Sequence, residues 1–331
     1  MRAVVVDEFG PPEQLRVRET PAPLPGRCEV LVEVHAAPVN YVDLLVVGGT
    51  YQALPVPPFI PGKGPAGVVT ALGSDVTAAR VGDHVLAMAE EGGYAEAVVL
   101  RADQCYRLPP RMSSFEAASL SLVYDTAWFA LRERARMAPG ETVLVLGASG
   151  GVGRAAVQLA RAMGARVLAG ILRQEKAASA REAGADAVID LSRQDLRDAL
   201  REEVWATTEG HGADVILDPL GGDVFDAALR ALAWGGRLVV IGFAAGRIPT
   251  VKTNYLLVKN IEVSGLQVSD YRKRRPAQMA ACFAEIFELY EEGRIKPAPA
   301  QVFPLDQAGE ALAAVRDRRL AGRAVLRLRE D

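Results

Sequence analysis

Residues 141–164, ETVLVLGASGGVGRAAVQLARAMG, contain a strand, a glycine turn and a helix in immediate succession. The apolar run 143–146 lies between the turn residues Pro139-Gly140 and Gly147, which is the pattern of a buried parallel strand. From position 155 the apolar residues recur at helical spacing, and Gly164 ends that pattern as a C-cap. This stretch therefore predicts the first unit of a parallel α/β sheet.

The glycine turn has the properties of a dinucleotide-phosphate site. Glycine accepts positive φ and lets the backbone approach a diphosphate, and the helix start offers free N–H groups and the positive end of its dipole. The spacing G-x-x-G-x-x-G departs from G-x-G-x-x-G, so the turn alone also fits another α/β protein. A second strand at 166–171, a helix at 175–182 and a third strand at 187–190 complete a Rossmann βαβαβ unit. We therefore predict a dinucleotide cradle at Gly147, Gly150, Gly151 and Gly153.

Two cations follow the second strand, where the choice of dinucleotide is made. An Asp or Glu about 20 residues after the glycines would bind the ribose hydroxyls of NAD. The chain instead reads Leu172-Arg173-Gln174-Glu175-Lys176. Arg brackets a 2′-phosphate with its planar fork and Lys adds a point charge, so the sequence favours NADP(H). The alternatives are that both cations are solvated helix-start residues and that Glu175 points inward.

Length and composition indicate a two-domain enzyme in a reducing compartment. The chain has 331 residues, half of them hydrophobic, which is enough for two sizeable cores. A net charge of −3 with interspersed charges predicts no nucleic-acid or membrane partner. The N-terminus does not resemble a signal peptide, no apolar run approaches the roughly 20 residues of a membrane span, and the three cysteines are far apart. We expect a cytoplasmic protein.

The regions on either side of the glycine turn have different patterns. Residues 1–110 contain short strand patterns at even spacing, as in a small barrel. Helical periodicity then runs from 114 to 137 and leads into the glycine turn. After the βαβαβ unit, further strands are predicted at 214–218, 235–242 and 261–265, followed by helices at 276–293 and 307–319 and a strand at 324–328.

Several short motifs in a fixed order resemble one enzyme family along essentially the whole chain. That family is the zinc-independent quinone oxidoreductase branch of the medium-chain dehydrogenase/reductase superfamily. Each motif is weak alone, but the order is highly specific. The matching motifs are Asn40-Tyr41-Val42-Asp43, Gly49-Thr50-Tyr51, Pro61-Gly62, Gly93-Tyr94-Ala95-Glu96, Gly147-Ala148-Ser149-Gly150-Gly151-Val152-Gly153, Glu182-Ala183-Gly184-Ala185-Asp186 and Gly322-Arg323-Ala324-Val325-Leu326.

The resemblance implies an α/β protein with a GroES-like β-barrel catalytic domain and a Rossmann cofactor domain with a doubly wound parallel sheet. The catalytic domain would comprise residues 1–120 and 263–331, the cofactor domain residues 121–262, and the active site would lie in the cleft. The implied activity is NADPH-dependent reduction of quinones or of activated C=C bonds. The resemblance also implies a homodimer, paired through the strand near 261–265 and the segment 242–249.

The resemblance also implies individual cofactor contacts. Lys176 would meet the 2′-phosphate with Arg173 and Arg318 near it, although Leu191 stands where similar proteins often carry Tyr. Thr126 would contact the nicotinamide half of the cofactor. The remaining contacts would come from Ser149 and Val152 in the turn and from Gly242, Phe243 and Gln267 in the groove.

The sequence lacks the ligands of a zinc alcohol dehydrogenase, so we predict no metal. In zinc relatives Asn40 is a Cys and the residues after Pro61-Gly62 include His and Glu, whereas this chain has Lys63-Gly64. Without a metal, hydrogen bonds must polarise the acceptor carbonyl. Asn40 is the first candidate donor, followed by Tyr51 and then Tyr41. The alternatives are a helix cap for Asn40 and packing roles for the tyrosines. Lys63 is expected to make the substrate mouth basic.

Three functions are compatible with these features. The first is NADPH:quinone reduction. The second is reduction of an enoyl thioester or another α,β-unsaturated carbonyl, which also needs a proton source such as Tyr51 or water. The third is an NADPH-binding protein without turnover, because a fold and cofactor site can persist without catalysis.

Overall fold

The computed structural model describes residues 1–320 and 322–330, which form two compact units. The terminal unit comprises Met1–Leu122, Arg272–Phe283 and the described part of Pro297–Asp331. The central unit comprises Val123–Tyr271 and Ala284–Lys296. Two residues of the predicted return segment 263–331, Ala321 and Asp331, lie outside the described residues.

The observed division differs from the predicted boundaries at 120/121 and 262/263. The strand Glu262–Gly265 is hydrogen-bonded in parallel register to its neighbour in the central sheet, so the chain stays in the central unit beyond 262. It enters the terminal unit at Arg272, leaves it again after Phe283 and returns at Pro297. The C-terminal region therefore contributes to both units.

The strands are numbered in chain order. They are β1 (Arg2–Val5), β2 (Arg16–Glu19), β3 (Glu29–Val39), β4 (Ala66–Leu72), β5 (His84–Ala87), β6 (Ala97–Arg101), β7 (Cys105–Arg107), β8 (Thr142–Leu146), β9 (Arg166–Ile171), β10 (Ala187–Asp190), β11 (Ala213–Asp218), β12 (Leu232–Val240), β13 (Glu262–Gly265), β14 (Ala300–Pro304) and β15 (Arg323–Arg327).

The α-helices are numbered in the same way. They are α1 (Tyr41–Val47), α2 (Ser114–Leu120), α3 (Tyr124–Phe129), α4 (Gly151–Ala162), α5 (Ala177–Glu182), α6 (Leu196–Thr207), α7 (Gly222–Ala231), α8 (Thr253–Lys259), α9 (Val268–Arg274), α10 (Pro276–Glu291) and α11 (Ala308–Arg316). Within the described part of the chain, no helix combines the length and apolar character needed to cross a membrane.

Strand β3 organises the terminal unit. The larger sheet has the order β14-β15-β3-β4-β5-β7, and β6 pairs with β3 as well. Val30, Val32 and Val34 alternate with more exposed residues along β3 and are fully buried, as expected for a strand with one face on the core. In the second half of β3 the partner is β15, with Ala324 opposite Val39. Residues from both ends of the chain therefore meet at the end of β3, where α1 begins.

The central unit is a doubly wound parallel sheet, as predicted. Its six strands have the order β10-β9-β8-β11-β12-β13. Residues 143–146 of β8 are completely buried, because a strand inside a parallel sheet is covered on both faces. The strand order reverses between β8 and β11, and in such sheets ligands bind at the carboxyl ends beside this switch point.

The predicted helical stretch 114–137 is interrupted. Ser113 caps α2, accepting a hydrogen bond from the N–H of Glu116, whose side chain in turn accepts the N–H of Ser113. The helix ends at Leu120, and Leu122 has a φ of 64°, a left-handed conformation that a helix cannot contain. The chain re-enters a helix at α3, which continues as a π-helical turn over Ala130–Arg134. Side-chain periodicity is the same on both sides of the break, which is why the sequence pattern did not reveal it.

Candidate functional site

The glycine turn after β8 is shaped by close backbone contacts. Gly147 has a φ of 64°. A Cβ on Gly153 would lie 2.2 Å from the carbonyl oxygen of Gly147, so only glycine lets α4 start this close to the strand. Gly150 is the N-cap of α4. The sequence anticipated this turn because its constraints are local.

The start of α4 offers hydrogen-bond donors to an anion. The first intrahelical bond runs from the N–H of Arg154 to the carbonyl of Gly150. The N–H groups of Gly151, Val152 and Gly153 therefore precede the regular ladder and have no acceptor among the described residues. Ser149 is exposed beside them. Free N–H groups, the helix dipole and the missing side chains fit a dinucleotide diphosphate.

The other predicted cofactor residues of the central unit follow the carboxyl ends of neighbouring strands. Arg173 follows β9, Gly242-Phe243 follows β12 and Gln267 follows β13. Because parallel strands end at the same edge of a sheet, these residues lie on the same edge as the glycine turn. Thr126 is buried in α3, and this helix is tied to α4 by a 3.0 Å hydrogen bond from the Tyr124 hydroxyl to Gln158 Oε1.

The two predicted phosphate-binding cations are available for a ligand. Arg173 is exposed and Lys176 is half-buried, and neither side chain forms an ion pair or hydrogen bond with another described residue. Glu175 between them is exposed to solvent. Leu191 is buried in the core of the central unit and supplies no polar group. Arg318 belongs to the terminal unit, where it follows α11 with a φ of 54°.

Asp218 shapes this edge of the sheet and was given no role by the sequence. It ends β11, and its Oδ1 accepts the N–H groups of Leu220 at 2.8 Å and Gly221 at 2.9 Å. Burial raises the pKa of Asp218, while these two hydrogen bonds favour its ionised form. The turn that it holds brings Leu220 against Gly147, where an added Cβ would lie 3.1 Å from Leu220 Cδ2. The sequence signal that could have identified Asp218 is its position as an acidic residue at the end of a buried strand.

In the terminal unit, Asn40 is part of a buried hydrogen-bond network. Its backbone N–H donates to Asp43 Oδ2 at 2.9 Å, and its Nδ2 donates to the same oxygen at 3.2 Å. Its Oδ1 accepts a hydrogen bond from Arg323 Nη2 at 2.6 Å. Asn40 therefore occupies the N-cap position of α1, and one of its two amide hydrogens has no acceptor among the described residues. The helix-cap interpretation and the donor interpretation are compatible.

Asp43 is an unusual group at the centre of this network. It is almost completely buried, and the hydroxyl of Tyr94 donates to its Oδ2 at 3.2 Å. Burial raises the pKa of Asp43 to about 6, even though the hydrogen bonds from Asn40 and Tyr94 and the charge of Lys63 favour ionisation. Burial, together with the neighbouring Asp43, also raises the pKa of Tyr94 well above its ordinary value. No sequence pattern indicated a role for Asp43, Tyr94 or Arg323.

Lys63 does not provide the free positive charge that the sequence suggested. Its Nζ donates to the backbone oxygen and to Oε2 of Glu90, both at 2.7 Å, and only 8% of the residue is exposed. Arg272 Nη1 donates to Glu90 Oε1 at 2.9 Å. Burial opposes ionisation of Glu90, but Arg272 and Lys63 lower its pKa to about 2. The ammonium group of Lys63 is therefore paired with the carboxylate of Glu90 inside the protein.

The two predicted tyrosines differ in their surroundings. Tyr41 is 47% exposed at the start of α1. Tyr51 is partly buried and packs against the apolar core of the terminal unit. Gly64, with a φ of 63°, has no room for a side chain, because a Cβ would lie 2.1 Å from Ser121 Oγ. Among residues 1–320 and 322–330, no group of three or more His, Cys, Asp and Glu side chains is arranged to hold a metal ion.

The chain is similar to known proteins over nearly its whole length. Residues 26–110 match the model of the alcohol dehydrogenase GroES-like domain, and residues 151–285 match that of the zinc-binding dehydrogenase family. A quinone oxidoreductase-like protein 2 homolog of Nematostella vectensis is 37% identical over 99% of this chain and 89% of its own length. Human quinone oxidoreductase is 34% identical over 94% of this chain and 92% of its own length.

Solved structures of quinone oxidoreductases are also similar to this chain over nearly its whole length. Quinone oxidoreductase from Pseudomonas syringae superposes with a TM-score of 0.90, at 30% identity and covering 98% of this chain and 99% of its own. Escherichia coli quinone oxidoreductase, solved in complex with NADPH, superposes with a TM-score of 0.89 at 29% identity. The match covers 99% of this chain and 100% of the Escherichia coli chain. The predicted fold class, a GroES-like domain with a Rossmann domain, is confirmed.

The raised pKa of Asp43 predicts a pH-dependent stability difference in the variant Asp43→Asn. In the folded protein Asp43 keeps its proton up to pH about 6, whereas its ordinary pKa is 3.8. Its protonation stabilises the fold below the lower value, and this contribution is lost as the pH rises through the higher one. By the linkage relation, we expect the unfolding free energy of the variant to rise relative to wild type between about pH 4 and pH 6. The difference should level off above about pH 6.

Urea unfolding of both proteins across this range measures the difference. Glu90→Gln is the matched control with the opposite sign, because the pKa of Glu90 is lowered from 4.5 to about 2. Relative to wild type, this variant should lose unfolding free energy as the pH rises from about 4, and the difference should level off once the carboxyl of the unfolded chain is ionised. An Asp43→Asn difference that stays constant with pH would contradict the assignment.

Proposed function

This chain belongs to the quinone oxidoreductase branch of the medium-chain dehydrogenase/reductase superfamily, and we propose that it reduces quinones with NADPH and without zinc. Sequence similarity to quinone oxidoreductases over nearly the full chain is the observation that carries this proposal. In this reaction, the nicotinamide supplies a hydride, and the protein binds the cofactor, orients the acceptor and polarises its carbonyl oxygen.

The use of NADP(H) is supported by the chemistry of the central sheet edge. The backbone donors at the start of α4 suit the diphosphate, and Arg173 and Lys176 are two cations with no partner among the described residues. A 2′-phosphate carries the negative charge that such a pair binds best. We assign Arg173 and Lys176 to the 2′-phosphate.

The acceptor side of the proposal depends on Asn40. Carbonyl polarisation without a metal needs a donor whose own position is held by other groups. Asn40 has one amide hydrogen to give, and its remaining polar atoms are engaged by Arg323 and Asp43. We propose Asn40 as the donor to the quinone oxygen, with Tyr51 and Tyr41 as further candidates.

The reaction is tested by following NADPH consumption with a para-quinone and, separately, with a short trans-2-enoyl-CoA. We expect turnover with the quinone and none with the thioester. Turnover of the thioester alone would overturn the proposal in favour of an enoyl reductase. Saturable NADPH binding without turnover of either acceptor would favour a protein that binds the cofactor without catalysis.

The cofactor assignment predicts a selective loss of NADPH affinity. Changing Lys176 or Arg173 to Met removes one charge-assisted hydrogen bond, so the Kd for NADPH should rise about 10-fold for each variant. The Kd for NADH, which lacks the phosphate, should not change. Fluorescence titration measures both, and Lys252→Met, at an exposed lysine of the same unit, is the matched control. Equal weakening of both cofactors would mean that these residues do not read the phosphate.

We also propose a homodimer formed at the edge of the central sheet. Strand β13 is the last strand of that sheet. Large apolar side chains are exposed in the central unit, among them Ile248 at 69%, Leu257 at 79% and Val258 at 75%, and exposed apolar patches mark interaction sites. Leu257→Glu should therefore produce monomers in sedimentation velocity. Leu24→Glu, at a leucine 86% exposed in the terminal unit, should leave the dimer intact. A monomeric wild type would contradict this proposal.

A further inference from the structure

Arg323 reaches Asn40 because of the strand register of the terminal unit. Ala324 of β15 lies opposite Val39 of β3, so Arg323 and Asn40 are the next residues on the two antiparallel strands. The guanidinium is oriented toward the amide, with Nη2 2.6 Å from Asn40 Oδ1. The same nitrogen lies 3.5 Å from the backbone oxygen of Ser121. A residue close to the end of the chain therefore touches the proposed acceptor-binding residue.

Arg323 and Asp43 together determine which way the Asn40 amide points. An arginine only donates hydrogen bonds and an ionised carboxylate only accepts them. With Oδ1 toward Arg323 and Nδ2 toward Asp43, both contacts are satisfied. A flipped amide would place the NH₂ group of Asn40 against the guanidinium of Arg323 and its oxygen against the carboxylate of Asp43. The hydrogen-bond network therefore permits one orientation.

This orientation affects the hydrogen that Asn40 has left to donate. Nδ2 carries two hydrogens, and one of them bonds to Asp43. The positive charge of Arg323 on the oxygen side draws electron density from the amide, and hydrogen bonds in a chain polarise one another. The second N–H is therefore held in place, and it is a stronger donor than it would be without Arg323.

We propose that Arg323 is a positioning residue that orients and polarises the Asn40 amide, so that Nδ2 donates to the carbonyl oxygen of the acceptor. This inference rests on the proposed reduction of a carbonyl-containing acceptor and adds a residue to it. Arg323 does not touch the acceptor; it acts through Asn40. A purely structural role, in which Arg323 only compensates the buried charge of Asp43, would affect stability and not turnover.

Steady-state kinetics separate these two roles. Arg323→Met keeps the apolar stem and removes the charge, and we expect kcat with the quinone to fall about 10- to 100-fold, the cost of losing one oriented donor. The Kd for NADPH should stay unchanged. Arg323→Lys, which restores a charge and a donor, should recover part of kcat. Arg327→Met removes an arginine from the same strand, half exposed and outside this network, and should behave as wild type.

A double variant tests whether Arg323 acts through Asn40. If it does, Asn40→Ala and the double variant Asn40→Ala/Arg323→Met should have the same kcat, because effects on one shared group are not additive. Additive losses would overturn the proposal. So would a wild-type kcat in Arg323→Met. If Arg323→Met fails to fold, Arg323→Gln and Arg323→Lys provide the same comparison.

An acceptor-independent signal distinguishes failure of this inference from failure of the proposed function. In protein labelled with ¹⁵N at asparagine side chains, the Asn40 amide should give a pair of shifted, slowly exchanging Nδ2 signals. Arg323→Met should move and broaden this pair, and Arg323→Lys should restore it in part. If wild type reduces no quinone, the quinone reductase proposal fails, while the amide signals still report on the orientation by Arg323. Unchanged signals in Arg323→Met would overturn the inference directly.

Discussion

The terminal unit depends on the backbone pairing of β3 with β15. Strand β3 has 11 residues, and its first half is covered by β4 and β6 while its second half needs a partner from the far end of the chain. Unpaired backbone groups in a buried strand cost free energy comparable to lost hydrogen bonds, so the return of the C-terminal segment stabilises this part of the core. The same pairing places Arg323 beside Asn40. The pairing that completes this sheet therefore also sets the contacts of the proposed acceptor-binding residue.

The central unit obeys a different constraint, that of a buried parallel sheet. All six strands run in the same direction, so their carboxyl ends and the loops that follow them share one edge. The glycine turn meets this edge with its backbone, and the contact of Gly153 with the Gly147 carbonyl leaves no space for a side chain. Asp218 holds the neighbouring loop through two backbone N–H groups. Backbone groups therefore dominate the proposed cofactor site of the central unit, whereas side chains surround Asn40 in the terminal unit.

Two buried carboxylates of the terminal unit show how neighbours decide the state of a charge. Glu90 bonds to two cations, Lys63 and Arg272, and its pKa falls to about 2. Asp43 has hydrogen bonds from Asn40 and Tyr94 but no cation in direct contact among the described residues, and burial raises its pKa to about 6. Desolvation penalises both, and only close opposite charge overcomes it. Glu90 therefore stays ionised above pH about 2 and is shared by Lys63 and Arg272, while the charge of Asp43 changes near pH 6.

The sequence by itself determined the strand–turn–helix around Gly147, the NADP(H)-compatible cations Arg173 and Lys176, and the family. The first two follow from residues adjacent in the chain, because hydrophobic period, positive φ and helix-start donors are local properties. The family follows from the order of short motifs along the whole chain. Tertiary structure alone decided what each polar side chain contacts. Arg323 and Asn40 are separated by 283 positions, and Lys63 and Arg272 meet at Glu90 only after folding. The interruption at Leu122 and the chain returns at Arg272 and Pro297 were likewise invisible, since apolar periodicity does not record where a helix breaks or which core it joins. Local sequence patterns specify helices, strands and turns. The contacts between distant side chains depend on long-range packing that no single stretch encodes.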